Sequence, residues 1–300
     1  MRSYLEKLTM IAGSFRMSTR IWYDVIAPTT MLILVKDSFT SLATYTMTLG
    51  ALVSFHAGHT YFNDMCDAEV DRQSSEPGRH QRALVLGKIS RRELAYAGWL
   101  FLGLSILFVL NLPWLCVLAA AIALPLVLAY NFRPVQLSAR PLITQVFWPI
   151  TWMLMFFFCV AAVGSESWVR ALPYLVFVVL FMGLGESIAQ DVRDADNDAG
   201  GGRRTTVVEY GVPRTTVFAW VFQGLSVLAW LWFILTYPLP KLSGILSSVV
   251  IIVWLLYFFR LTCSLQGAYD KMHARRTHIG SIVTFTSVNL ITIGGIMFGI

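Results

Sequence analysis

Two short runs of the chain hold seven of its ten aspartates. The first is Asn63-Asp-Met-Cys-Asp-Ala-Glu-Val-Asp71 and the second is Asp191-Val-Arg-Asp-Ala-Asp-Asn-Asp198. Each contains the spacing Asp-x2-Asp-x3-Asp, as Asp64, Asp67, Asp71 and as Asp191, Asp194, Asp198. On a helix, positions i, i+3 and i+7 fall within an arc of about 60°. Each run therefore predicts an acidic stripe on one helix face, and Asn63 widens the first to about 100°. Like charges one turn apart repel, so the stripes call for positive charge between them. A ligand set of oxygens alone points to a hard divalent cation, and magnesium favours a few carboxylates completed by substrate phosphates. The bland alternative is a solvated acidic loop paired with Arg72, Arg193, Arg203 and Arg204. That Asp-x2-Asp-x3-Asp occurs twice argues against it. Glu69 and Asp196 fall off the stripes and read as ordinary surface charges.

The elements that would carry the stripes are apolar. Of 300 residues, 56% are hydrophobic and 13% charged, against about 45–50% and 25% in soluble domains. Windows of about 20 apolar residues, enough to cross a bilayer, occur near 20–36, 41–62, 95–111, 114–131, 141–164, 172–190, 215–236, 244–262 and 280–299. Nine spans are expected, the first weakened by Asp24. Residues 1–16 read as an interfacial amphipathic helix, with no cleavable leader pattern. Threading the chain through these spans puts 20 of the 23 Lys and Arg residues on one side and leaves Lys36, Arg170 and Lys241 on the other. Cytoplasmic loops collect such residues, so the N-terminus and both acidic stripes are expected on the cytoplasmic side. The net charge of +6 then reflects membrane orientation, and nucleic acid is not an expected partner. Cys66, Cys116, Cys159 and Cys263 have no paired or zinc-ligand spacing and read as small buried thiols. His56 and His59, one to two turns before the first stripe, read as core or cavity-lining groups.

With Asn63, Asp67 and Asp71 matching N-x3-D-x3-D, and Asp191, Asp194 and Asp198 matching D-x2-D-x3-D, the chain resembles the UbiA superfamily of intramembrane prenyltransferases. Gly202, Thr205, Val208 and Gly211 add the downstream G-x2-T-x2-V-x2-G pattern, and the resemblance runs along almost the whole length. Tyr130-Asn-Phe-Arg-Pro-Val-Gln-Leu137 is similar to the Y-S-x-P-P-x-x-L element of one branch, with Asn131 and Arg133 as departures. Two further departures are Ala83 inside Arg82-Ala-Leu84, where Pro is familiar, and Gln190, where Lys is often found.

The resemblance implies a single all-α membrane domain over residues 1–300. Its nine transmembrane helices would surround a central cavity, with loops 72–94 and 199–214 forming a cytoplasmic cap. It implies magnesium, as two ions bridging a prenyl diphosphate on Asn63, Asp64, Asp67, Asp71, Asp191, Asp194 and Asp198. Arg82, Arg140 and Arg204 are the expected phosphate ligands. Tyr130, Trp148 and Trp152 are expected to face the allylic cation, although lipid-facing or packing roles serve these aromatics as well. The expected reaction is transfer of the prenyl group to a lipophilic or aromatic acceptor. One alternative is a terpene cyclase of the same superfamily, in which the cation attacks its own chain. A membrane lipid or ion carrier is a further one, though carrier sites usually lie near the bilayer midplane in broken helices.

Overall fold

A computed structural model describes residues 2–14, 17–74, 82–165, 167–265 and 270–299, and every regular element among them is helical. The helices are α1 (Arg2–Ser14), α2 (Met17–Lys36), α3 (Leu42–Arg72), α4 (Arg91–Val109), α5 (Trp114–Asn131) and α6 (Ile143–Val163). They continue as α7 (Leu172–Val178), a π-helical segment (Val179–Glu186), α8 (Ser187–Gly200), α9 (Thr206–Tyr210), α10 (Val212–Thr236), α11 (Lys241–Leu265) and α12 (Lys271–Phe298). Polar residues mark several starts. Ser90 accepts from the Glu93 amide while Glu93 reaches back to Ser90, a capping box at the head of α4. Asp270 accepts from the amides of Met272 and His273 at the head of α12. Gly164 ends α6 at φ +61°, a left-handed cap that glycine adopts without a Cβ clash.

Seven helices among the described residues are long and apolar enough to cross a membrane: α4, α5, α6, the α7–α8 run, α10, α11 and α12. The protein is thus an integral, multi-pass membrane protein. The expected count of nine is not reached on this measure. α2 carries Asp24, and α3 is diluted by His56, His59 and its terminal carboxylates, although both pack inside the same bundle. The first acidic run was expected just beyond a span ending at 62. In fact the helix continues without a break to Arg72 and carries the stripe with it.

The main core joins α2, α6, α7, α10, α11 and α12 around Phe156, Tyr174, Phe177, Trp230, Phe233 and Phe285. A second cluster ties α3 to α4 through Ala57, Tyr61, Leu94 and Ala97, with Met10 and Ile11 of α1 packed on it. Large apolar side chains such as Leu100, Trp114, Leu228, Leu235 and Leu256 point outward. In water so much exposed apolar surface would be a liability, but on a bilayer-spanning helix it meets lipid tails. Buried polar groups are handled within the bundle: Tyr174 donates to Asn289, and Ser105 Oγ donates to the Ala51 carbonyl at 2.8 Å.

Candidate functional site

α3 and α8 run side by side at one end of the bundle, and their acidic faces turn inward. Asp64, Asp67, Asp71, Asp194 and Asp198 are all buried, and Asp191 is half-buried. Glu69 is exposed and pairs with Arg72 and Arg91, and Asp196 is exposed as well, as the helical arcs require. The helix ends are tied together. Ser74 Oγ donates to Asn197 Oδ1 at 2.8 Å. Gly201 lies so close to α3 that a Cβ there would sit 2.7 Å from Val70 Cγ1, so only glycine permits this approach.

Three arginines compensate the buried carboxylates. Arg82 reaches back to α3, with Nη1 3.0 Å from Asp64 Oδ1 and in contact with Asp71. Arg203 bridges the halves: its Nη2 contacts Asp67, and its Nη1 lies 3.8 Å from Asp198 Oδ1. Burial alone would disfavour charge on Arg203, but Asp67 and Asp198 beside it raise its pKa overall, so it remains a cation. Arg193 forms a two-point pair with Asp194, at 2.8 and 2.7 Å. Asp191 is held differently. Gln145 Nε2 of α6 donates to it at 2.7 Å, and Gln145 Oε1 accepts from Thr206 Oγ1 at 2.6 Å.

Tyr130 is buried at the C-terminal end of α5, stacked on Phe147 with ring centroids 4.3 Å apart and edge-on to Trp148 at 5.7 Å. Its phenol is close enough to Arg203 for the two to interact electrostatically. Trp148 and Trp152 line an apolar cavity of about 160 Å³ between α3, α4, α5 and α6. Its polar lining is confined to a few groups, chiefly Asp24, His56 and His59. A second, more polar cavity of about 530 Å³ opens beside the stripes, bordered by Arg91, Arg133, Arg203 and Arg204.

The structure therefore brings Asp64, Asp67, Asp71, Asp191, Asp194, Asp198, Arg82 and Tyr130 to one region, with half-buried Asn63 on the same helix. It turns two expected phosphate ligands elsewhere. Arg140 donates to the carbonyls of Val135 and Pro134 at 2.7 and 3.3 Å. Arg204 pairs with Glu209 at 2.9 Å and is mostly exposed. Its neighbour Arg203 takes the inward position, and residue spacing alone gives no means of choosing between adjacent arginines in a loop. Gln145 is also absent from the sequence expectations. Its signal was there: a lone amide in an apolar span needs a partner. The part of loop 72–94 at residues 75–81 lies outside the described residues.

A helical membrane bundle that buries five carboxylates and half-buries a sixth at one end, with an aromatic-lined cavity behind them, marks an intramembrane enzyme. The chain belongs to the UbiA prenyltransferase family, whose pattern it matches over residues 25–277. It is similar to a digeranylgeranylglyceryl phosphate synthase of Methanoculleus marisnigri, with 30% identity over 273 residues covering 88% of this chain and 92% of that one. Its fold matches that of a UbiA homologue from Archaeoglobus fulgidus bound to DMAPP and Mg2+, with a TM-score of 0.69 at 19% identity, over 96% of this chain and 98% of that one. A UbiA homologue from Archaeoglobus fulgidus bound to GPP and Mg2+ gives a TM-score of 0.65 at 19% identity, over 91% of this chain and 99% of that one.

The donor set suits magnesium, being made of hard carboxylate oxygens. As arranged here, arginines occupy the space between the stripes, and among the described residues no three acidic, His or Cys groups converge on one point. The chemistry of the residues fits the ion, and Arg82, Arg193 and Arg203 are the groups that would give way to it.

Proposed function

We propose that this protein ionises a prenyl diphosphate between its two acidic stripes and transfers the prenyl group to a lipophilic acceptor, releasing diphosphate. The observation that carries this reading is the bridge by Arg203 between Asp67 and Asp198, 131 positions apart in the chain. Two stripes of the same spacing, drawn to a common cation, are suited to face one polyanion. Asn63, Asp64, Asp67 and Asp71 on one side, with Asp191, Asp194 and Asp198 on the other, would hold magnesium, in our reading two ions. When bound, magnesium neutralises the diphosphate and stabilises charge developing on the leaving oxygen.

The chain's own residues supply the rest. Arg82 and Arg203 turn from carboxylates to phosphate oxygens and favour departure of the diphosphate. Gln145 fixes the Asp191 carboxylate. Tyr130, Trp148 and Trp152 present ring faces to the allylic cation, and the apolar walls of α3–α6 exclude water from it. Arg204, in the cap loop, and Arg140, in the connection between α5 and α6, are assigned to the mouth, where they can meet the outer phosphate. In this reading all of residues 1–300 form one domain, α1 lies at the interface, and 72–94 with 199–214 cap the cavity. α2 and α3 complete nine spans. The split of basic residues supports a cytoplasmic N-terminus and mouth.

The name of the Methanoculleus relative describes two geranylgeranyl groups on a glyceryl phosphate, so a lipid alcohol is the first acceptor to try. The aromatic-lined cavity also suits an acceptor-free cyclisation, and one experiment separates the two. Purified protein is incubated with magnesium and prenyl diphosphates from geranyl to geranylfarnesyl, with and without a prenyl glyceryl phosphate, and the extracts are read by mass spectrometry. Acceptor-dependent prenyl ether is the expected outcome. A cyclic hydrocarbon formed without acceptor would replace transferase by cyclase, and absence of magnesium-dependent diphosphate release would sink both.

A further inference from the structure

Four arginines border the larger cavity at the mouth of the bundle. Arg91 comes from the head of α4, Arg133 from the connection between α5 and α6, and Arg203 and Arg204 from that between α8 and α9. The cavity holds about 530 Å³, and among the described residues its only acidic lining group is Glu69. Basic residues at one end of a membrane protein serve orientation, but orientation needs only their presence in the loops. Here three separate connections bring them round one concave space, and a cleft lined by one sign of charge concentrates the opposite ion.

The four differ in what they hold. Arg203 is committed to Asp67 and Asp198, and Arg204 to Glu209. Arg91 pairs with Glu69 at 2.7 Å, both side chains being more than half exposed, and an exposed pair of this kind is worth little. Arg133 is exposed and has no carboxylate among the described residues. Its Nε donates to Gln136 Oε1 at 3.3 Å, and its two Nη groups have no protein partner there. Gln136 itself sits at φ +38°, a left-handed conformation that residues other than glycine adopt rarely and at a cost. Arg133 is also one of the two departures of residues 130–137 from the Y-S-x-P-P-x-x-L pattern, and the other, Asn131, lies in the same wall.

This cavity adjoins the space between the stripes without being part of it. None of the stripe carboxylates lines it. Its α3 wall is Cys66, Glu69 and Val70, which lie about 95–165° round the helix from the middle of the first stripe and level with it along the axis. Arg203 stands in the wall between the two spaces, its guanidinium on Asp67 and Asp198. An anion on the outer side of Arg203 is therefore beside a diphosphate held between the stripes, and not in its place.

We infer that this cavity binds the anionic head of the acceptor lipid, a phosphate monoester, with Arg133 as its main ligand and Arg91, released from Glu69, as its second. The inference rests on the transferase reading above. Guanidinium groups suit phosphate oxygens because they offer two parallel donors in one plane. On a glyceryl backbone the phosphate and the reacting hydroxyl are separated by a short carbon link, so fixing the head in this cavity keeps the hydroxyl near its Arg203 wall and the donor beyond it. An acceptor without charge would lose this hold. Arg133 is thus a specificity residue, and Gln136, which holds its Nε, is a positioning residue.

The test uses geranylgeranyl diphosphate and magnesium with two acceptors, a glycerol phosphate bearing one geranylgeranyl ether and the same ether without its phosphate. Wild type is compared with Arg133→Gln, with the double variant Arg91→Gln, Arg133→Gln, and with Arg276→Gln, which removes an exposed basic residue of α12 away from the cavity. The readout is kcat/KM on the charged acceptor divided by that on the neutral one, which a general loss of folded protein does not move. Wild type should favour the charged acceptor, and Arg133→Gln should lower the ratio about tenfold through the acceptor KM, with the donor KM unchanged. The double variant should lower it further, and Arg276→Gln should leave it alone. Glycerol phosphate, the head by itself, should compete with the charged acceptor in wild type and more weakly in Arg133→Gln. A ratio unchanged in Arg133→Gln, or lowered as much in Arg276→Gln, overturns the inference, as does competition of glycerol phosphate with the donor instead. A wild type that prenylates both acceptors equally overturns it too and leaves the transferase reading standing. A wild type that releases no diphosphate overturns the proposed function, and this assignment falls with it.

Discussion

Asp64, Asp67 and Asp71 ride on one unbroken helix of 31 residues, whereas Asp191, Asp194 and Asp198 follow a π-helical segment that widens the helix just before them. The two stripes have the same spacing but different restraints. On α3, Asp64 and Asp71 are both engaged by Arg82, from the loop that follows their own helix. On α8, Asp191 is fixed by an amide from α6 and Asp194 by its neighbour Arg193, while Asp198 shares Arg203 with Asp67. Each stripe thus mixes local and tertiary restraint: Arg82 and Arg193 act from nearby in the chain, Arg203 ties Asp67 to Asp198, and Gln145 reaches Asp191 from α6. Distortion of α6 should therefore reach Asp191 first.

Four experiments bear on this comparison. The largest effect is expected for Asp67→Ala and Asp194→Ala, each lowering magnesium-dependent diphosphate release by ~10³-fold. Survival of release in both would show that neither stripe is the site. Arg203→Gln comes next, because it removes the cation shared by the two halves. Leaving buried carboxylates uncompensated costs about 3–5 kcal/mol. Thermal unfolding in detergent should show the loss without magnesium and a smaller one with it, and equal losses would mean that the ion does not replace the guanidinium. Gln145→Ala should be milder. It deletes one hydrogen bond to a charged group, about 1.5–3 kcal/mol, and should lower diphosphate release about tenfold while binding through the first stripe persists. The smallest effects belong to Arg140→Ala and Arg204→Ala, within about twofold in turnover, since Arg140 is exposed and bonds only backbone carbonyls of its own loop among the described residues, and an exposed pair such as Arg204–Glu209 contributes little. A large loss in either would reassign the phosphate ligands.

Much of the bundle was legible in the sequence. The windows near 114–131, 141–164, 215–236 and 244–262 differ from the helices by at most three residues at either end, because long apolar runs carry their own boundary signals. Boundaries failed where polarity rose inside a continuing helix. α3 runs ten residues past its expected end, and α12 begins nine before its expected start, through a basic stretch that the apolar window excluded. The stripes were legible because helical periodicity turns spacing into a face. The restraints on them were not. Gln145 meets Asp191 across 46 positions, and Arg203 meets Asp67 across 136. No local pattern encodes such partners. The choice of Arg203 over Arg204 is made by the turn after Gly202, which has φ +67°.

The π-helical segment Val179–Glu186 sets the second stripe's direction independently of the helix that leads into it. One residue added to or removed from a helix rotates everything beyond it by about 100°, and a π turn absorbs such an insertion without breaking the chain. Gly183 and Gly185 let neighbouring helices close on the widened segment: a Cβ at Gly183 would lie 3.1 Å from Pro149 Cα, and one at Gly185 2.8 Å from Gln223 Cγ. The aspect that α7 shows to its neighbours and the aspect that α8 shows to the site can therefore change separately, with this segment acting as a clutch between them. Deleting one residue within 179–186 would leave the composition of every span nearly unchanged and would swing Asp191, Asp194 and Asp198 away from α3.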